Sequence, residues 1–295
     1  TRWRYASVAV TPLGFMLSVF LTNRFFRNSQ GSGIPQAIAA RALTDQQARG
    51  RLVSIRIAIG KILMTLLGLL VGGSIGREGP TVQVGASLMF EIGRLTPKRQ
   101  PGLILAGAAA GVAAAFNTPL AGIVFAIEEI SRSFELRTSG LIIGAVILGG
   151  MTSLALLGDY TYFGSTSAML GSFTDWLCVP ICGVLGGIFG GCFSRILIEI
   201  PRQIPGRTGD LMKRHPVLFA ASCGLAVAIC GYLSGDTIWG TGYAQARGLV
   251  HGVNHLGWQF TPLKFLATVL SSVSGIPGGI FSPSLSVGAG FGADV

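Results

Sequence analysis

The chain has 295 residues, half of them hydrophobic and only 12% charged, with a net charge of +10 and a mean hydropathy of +0.62. Seven apolar runs, at 5–21, 63–75, 103–127, 140–157, 176–193, 216–233 and 262–273, are more than one soluble core can use. Several approach the roughly 20 residues needed to cross a bilayer. The positive balance does not indicate nucleic acid, because aromatic and basic residues are not interleaved. Instead Arg24, Arg27, Arg41, Arg49 and Arg51 form one group between apolar runs, and Arg195, Arg202, Arg207, Lys213 and Arg214 form another. Loops rich in Lys and Arg face the cytoplasm in multi-pass proteins. The composition predicts an all-α polytopic membrane protein with no separate soluble domain.

In chain order, the first departure from simple spans is Gly31-Ser32-Gly33-Ile34-Pro35-Gln36, between the run at 5–21 and a short apolar stretch ending at Leu43. The second is Gly76-Arg77-Glu78-Gly79-Pro80. The third is Ser274-Gly275-Ile276-Pro277-Gly278-Gly279-Ile280-Phe281-Ser282-Pro283. In each, proline stands where a helix can begin and glycine frees the preceding backbone to turn. Irregular backbone survives at membrane depth only when buried in protein or lining a wet cavity, and such Gly/Pro-broken segments point to a transporter's binding site. Two internal matches suggest symmetry: Gly76-x-x-x-Pro80 with Gly279-x-x-x-Pro283, and Ser32-Gly33-Ile34-Pro35 with Ser274-Gly275-Ile276-Pro277.

The chemistry follows from the backbone. A helix N-terminus presents unpaired N–H donors and about half a positive charge, so it attracts anions. Several such ends converging would hold a small anion weakly enough for it to leave again. Ser32 adds a hydroxyl, and the only full cation within the three motifs is Arg77, which is expected to point away and pair with protein groups. Glu78, placed just before a helix predicted to start at Pro80, is a carboxylate in surroundings where charge marks an ion or proton pathway. It can occupy the anion position itself as a tethered competitor and leave on protonation.

The run at 103–127 contains a further predicted helix start at Pro119, with Asn117 or Thr118 near its cap, and ends in Glu128-Glu129. Two acids at a helix C-terminus oppose its dipole. Either they pair with Arg132 and Arg137 at the surface, or they serve transport. Cys178, Cys182, Cys192, Cys223 and Cys230 lie in apolar runs, odd in number, and are read as packing residues. His251 and His255, one helical turn apart, have no carboxylate nearby and suggest no metal. Neither a nucleophile–base pair nor a complete phosphate-binding fingerprint is present, so no enzyme and no cofactor are expected.

Together these residues resemble the CLC family of chloride channels and proton/chloride exchangers, in its prokaryotic form. Gly31 to Pro35 resembles the family's first anion loop, Gly76 to Pro80 its gating-glutamate motif, and Gly279-Ile280-Phe281-Ser282-Pro283 its third loop. Ala108 to Glu129 is similar as well. The resemblance implies an inverted-repeat fold of broken, tilted helices meeting at the membrane middle. It also implies a homodimer with one pore per subunit in a cell membrane, such as a bacterial inner membrane. Ser32, Gly33, Ile280 and Phe281 would bind chloride, Glu78 would be the gate and outer proton carrier, and Glu129 the inner proton-transfer group. Ser32 matches the chloride-selective members, whereas Gln36 stands where many relatives have Glu.

Against the family pattern the chain reads as a single incomplete transport domain, with a first pseudo-repeat at about 1–172 and a second beginning at 173–295. The expected inner-gate tyrosine lies beyond Val295, since Tyr232 and Tyr243 precede the third loop. The expected function is proton-coupled chloride antiport; the alternatives are an uncoupled chloride channel or a non-transporting membrane fragment.

Overall fold

The computed structural model describes residues 2–131, 136–158, 161–162, 164, 169, 171–203, 212, 214–253 and 256–294. Thirteen α-helices are defined among them. They are α1 Arg2–Phe25, α2 Ile34–Ala42, α3 Gln46–Gly50, α4 Ile55–Leu70, α5 Glu78–Gly93, α6 Gln100–Phe116, α7 Pro119–Phe125, α8 Leu136–Leu157, α9 Phe173–Gln203, α10 Pro216–Leu233, α11 Tyr243–Val250, α12 Phe260–Val273 and α13 Phe281–Asp294. A π-helical turn, Ala126–Ser131, follows α7. Extended pairing among the described residues is limited to two isolated bridges, Gly31 with Pro277 and Gly76 with Gly279.

Among the described residues, five stretches are long and apolar enough to cross a membrane: Ala6–Phe25, Gln46–Leu70, Gly140–Leu157, Trp176–Ile200 and Pro216–Leu233. The apolar run at 103–127 does not form one helix. Asn117, in the left-handed region at φ 55, ends α6, and α7 restarts at Pro119. The restart is where the sequence places it, and Thr118 at the cap position makes no side-chain cap bond to α7.

The helices approach closely because their contact faces carry glycine. α5 and α6 make the most extensive contact, and a methyl on Gly85 would meet the Gly107 carbonyl, while one on Gly107 would meet that of Gly85. Within a bilayer, where lipid is as apolar as Leu, such close backbone packing is the main source of helix association. α1 packs on α10 in the same way, with Gly224 against the backbone of Thr11 and Pro12. One apolar core gathers Val82, Ala86 and Phe90 of α5 with Ile104 and Leu105 of α6. A second gathers Phe15 and Val19 of α1 with Val227 of α10 and Ala267 of α12.

The two halves of the chain share a layout around their breaks. A left-handed glycine caps each short helix, Gly33 (φ 98) before α2 and Gly242 (φ 72) before α11. A fully buried lysine stands at the same spacing ahead of each following broken helix: Lys61 ahead of Glu78, Lys264 ahead of Phe281. Lys61 Nζ donates to Gly31 O at 2.8 Å, and Lys264 Nζ donates to Ile238 O at 2.7 Å and Gly240 O at 2.8 Å. The Gly76 and Gly279 frames correspond in this layout. The Ser-Gly-Ile-Pro match does not, because the first copy opens α2 while the second is non-helical chain leading to the Pro277 bridge.

Candidate functional site

All three broken segments meet at one point. Gly278 N donates to Gly31 O at 3.0 Å, tying the third segment to the first. Gly76 N donates to Gly279 O at 2.6 Å and Gly279 N to Gly76 O at 2.7 Å, tying the second to the third. Ser32 lies against Gly79, where an added methyl would overlap the Ser32 hydroxyl. These carbonyls and amides would be orphans at membrane depth, and pairing them with one another satisfies them without a regular helix. Pro35 sits in the first turn of α2, Pro80 in that of α5 and Pro283 in that of α13, where a missing N–H is harmless.

Gly33 requires its left-handed backbone, and a side chain there would strike Gln83. Gln83 is itself buried, donating from Nε2 to Asn28 O at 3.1 Å and Leu52 O at 3.0 Å, so α5 clamps the turn on which Ser32 stands.

Glu78 is the first residue of α5 rather than lying outside it, two residues earlier than Pro80 suggested. A carboxylate in a first helical turn is stabilised by the N-terminal dipole, which explains the earlier start. The residue is 3% exposed. Oε1 accepts from the Tyr162 hydroxyl at 2.7 Å, and Oε2 is buried with no hydrogen-bond partner, directed at Gly76.

Tyr162 was not anticipated. The sequence sets Tyr232 and Tyr243 aside because they precede the third loop, whereas the tyrosine bonded to Glu78 comes from the chain between α8 and α9. Its hydroxyl also lies 3.5 Å from Ser282 Oγ. Its ring stacks at 5.1 Å on Phe116 and 5.0 Å on Tyr243, and Phe116 meets Phe281 at 5.1 Å, giving a continuous aromatic wall. Burial pushes the Tyr162 hydroxyl up to about 12, so it remains a donor. Arg77 is exposed and lies 5.9 Å from the centre of the Tyr162 ring, a cation–π contact that turns it onto protein groups.

A cavity of about 440 Å3 runs from this point to the end of α7, lined by Glu78, Phe116, Tyr162, Phe281, Glu128 and Glu129. Both acids at 128 and 129 line it. An α-helix would turn one away by about 100°, but Ala126–Ser131 is π-helical, and its wider turn rotates consecutive residues less. Arg132, and the side chain of Arg137, lie outside what the structure describes, as does His255.

Two buried lysines escaped the sequence reading, although a lysine inside an apolar run is a signal in itself. Lys61 and Lys264 back the irregular turns from behind, each holding a carbonyl of the loop that precedes a short helix.

A profile of the family described as voltage gated chloride channel matches residues 14–295. The chain belongs to the CLC family. It is 32% identical over 307 residues to the H(+)/Cl(-) exchange transporter ClcA of Yersinia pseudotuberculosis serotype IB, covering 96% of this chain and 61% of that protein. A ClcA from Yersinia pestis is likewise 32% identical over 306 residues. The chain thus spans 61% of the length of these curated relatives. Among solved structures, a slow cyanobacterial Cl-/H+ antiporter superposes with a TM-score of 0.78 at 25% identity, over 97% of this chain and 68% of that one. A CLC-type fluoride/proton antiporter superposes with a TM-score of 0.77 at 23% identity, over 94% and 69%. This CLC chain is an all-α, multi-pass membrane protein, and its relatives are transporters rather than enzymes.

Proposed function

We propose that this chain carries the ion pathway of a proton-coupled chloride antiporter, in which Glu78 is the protonatable gate. The observation that carries the reading is the state of Glu78. It is buried at the start of α5, one oxygen held by Tyr162 and the other unpaired, where three broken segments converge. Chloride would take the place of that carboxylate, coordinated by the Ser32 hydroxyl and the amides of Gly33, Ile280 and Phe281. Protonation removes the negative charge that suits the helix N-terminus, and the neutral side chain leaves the position to the anion.

Glu129 serves as the inner proton group in this reading. The shared cavity with Glu78 supports it, as does the chemical need for a titratable relay between the gate and the cytoplasmic face. The exchange transporters among the relatives point the same way. The protein would act as a homodimer in a bacterial inner membrane, built from two pseudo-repeats, with no cofactor.

The test is chloride-driven proton uptake into liposomes reconstituted with the protein. The wild type should pump protons against their gradient. Glu78→Gln should keep chloride flux but lose proton movement and pH dependence, and Glu129→Gln should lose proton movement alone. Chloride flux without proton pumping in the wild type would overturn antiport in favour of an uncoupled channel. No flux at all would overturn transport by this chain.

A further inference from the structure

Away from the convergence, the turn after α1 and the turn before α4 face each other across a pocket of about 620 Å3. Four exposed arginines line it: Arg24, Arg27, Arg51 and Arg56. Arg27 Nε donates to Asn23 O at 3.1 Å and Arg56 Nε to Phe25 O at 2.8 Å, which fixes these two guanidinium groups on the backbone. Asn28 Nδ2 donates to Arg51 O at 2.7 Å and ties the two turns together. Among the described residues, none of the four is within ion-pair distance of a carboxylate. Four uncompensated cations sharing one concavity repel each other, and an anion relieves that repulsion.

The position of the pocket selects the anion. The span Ala6–Phe25 ends at its rim and the span Gln46–Leu70 passes beside it, so it sits at a membrane boundary. Leu13, Leu17 and Phe20 are 58%, 46% and 50% exposed and share one face of α1 with Arg24. On α4, Ile55, Ile59, Ile62 and Leu66 form a second exposed stripe that begins next to Ser54 of the pocket. Apolar stripes ending at a cluster of guanidinium groups fit an amphiphile with an anionic head.

We propose that this pocket binds the phosphate headgroup of an anionic phospholipid, whose acyl chains lie along the exposed stripes of α1 and α4. Arginine matches phosphate through paired N–H donors, and basic pockets between membrane helices on the cytoplasmic side are suited to such headgroups. The clustering of arginine there agrees with that orientation. A free phosphate ion would use the cations but not the stripes, and a zwitterionic headgroup would bring its own cation into a pocket that already holds four.

The test uses the purified chain in detergent micelles doped with phosphatidylglycerol or with phosphatidylcholine, and in plain micelles with inorganic phosphate. Retained lipid is read by mass spectrometry, and the unfolding midpoint by a thermal scan. Phosphatidylglycerol should be retained about tenfold more than phosphatidylcholine and should alone raise the midpoint. Arg24→Gln/Arg51→Gln, which leaves the backbone bonds of Arg27 and Arg56 in place, should abolish both effects. Arg195→Gln, an exposed arginine elsewhere, should leave them intact. Should the double variant prove unstable, about 0.5 M salt applied to the wild type should weaken retention of phosphatidylglycerol. Equal retention of the two lipids, undiminished retention in a folded double variant, or equal stabilisation by inorganic phosphate would each overturn the proposal.

Discussion

The starts of α5 and α13 are built alike and finished differently. Each follows a glycine of the Gly76–Gly279 bridge, carries a proline in its first turn and has a buried lysine at the same spacing upstream. Yet α5 begins with Glu78 and α13 with Phe281. At one helix start stands a buried carboxylate, held by Tyr162 through one oxygen and directed at Gly76 with the other; at the other start an aromatic ring leans on Phe116. In the ion pathway proposed above, a single scaffold thereby carries a titratable group at one start and an aromatic ring at the other, and the side chain at the first helical residue makes the difference.

Substitutions around the two starts can break or sharpen this contrast. The largest effect is expected for Gly79→Ala. The methyl would fall on the Ser32 hydroxyl and backbone, separating the first two segments, and chloride flux in liposomes should drop to background. Gly279→Ala would meet the Gly76 carbonyl at 3.1 Å and the Gly79 amide at 3.2 Å, so it should keep measurable flux. Equal loss in both variants would mean that the two starts are not functionally distinct.

Next come the lysines. Lys61→Met removes one close bond from Gly31 O, which keeps the Gly278 amide, whereas Lys264→Met takes the lysine donor from two carbonyls. Thermal unfolding in detergent should register a loss of about 2 kcal/mol for the first and a larger one for the second. The reverse order would show that the loop held by Lys61 is the more strained of the two.

A smaller effect is expected for Tyr162→Phe, which removes the donor at 2.7 Å from Glu78 while keeping the aromatic wall. In the gating role proposed for Glu78, its carboxylate loses a donor that holds it in place. The pH profile of chloride flux should therefore change. In a Glu78→Gln background the same change should do nothing to the pH profile; a persistent shift there would detach Tyr162 from the gate.

The smallest effect concerns stability at high pH. The raised value for Tyr162, about 12, exceeds the ordinary value of 10.0. Its contribution is therefore complete below pH 10 and is lost as pH climbs toward 12. The unfolding midpoint of the wild type should fall faster than that of Tyr162→Phe across that interval.

The motifs around Ser32, Glu78 and Phe281 were legible because Gly and Pro record backbone geometry locally: a left-handed cap at Gly33 and prolines in the first helical turns. The restart at Pro119 was legible for the same reason. Tyr162 was not, because what makes it matter is proximity to Glu78, 84 residues earlier in the chain, and no local pattern encodes that. The π-turn at Ala126–Ser131 was also hidden, since its extra residue per turn leaves the apolar spacing of a short segment almost unchanged. The repeated Ser-Gly-Ile-Pro misled for a simple reason. In a chain with 44 glycines, short matches arise without shared geometry, and it was the buried lysines that marked the corresponding positions.

The bridges between Gly31 and Pro277 and between Gly76 and Gly279 also constrain how the protein is made. During synthesis the first two segments enter the bilayer long before the third exists, so the Gly31 carbonyl has only Lys61 at first, and the Gly76 amide must wait for a partner just over 200 residues downstream. Until residue 279 leaves the ribosome, the early helices carry unpaired backbone groups at membrane depth, with Glu78 among them. The early helices therefore stay wet or shielded by the insertion machinery until the third segment arrives, and closure of the convergence follows their insertion rather than preceding it.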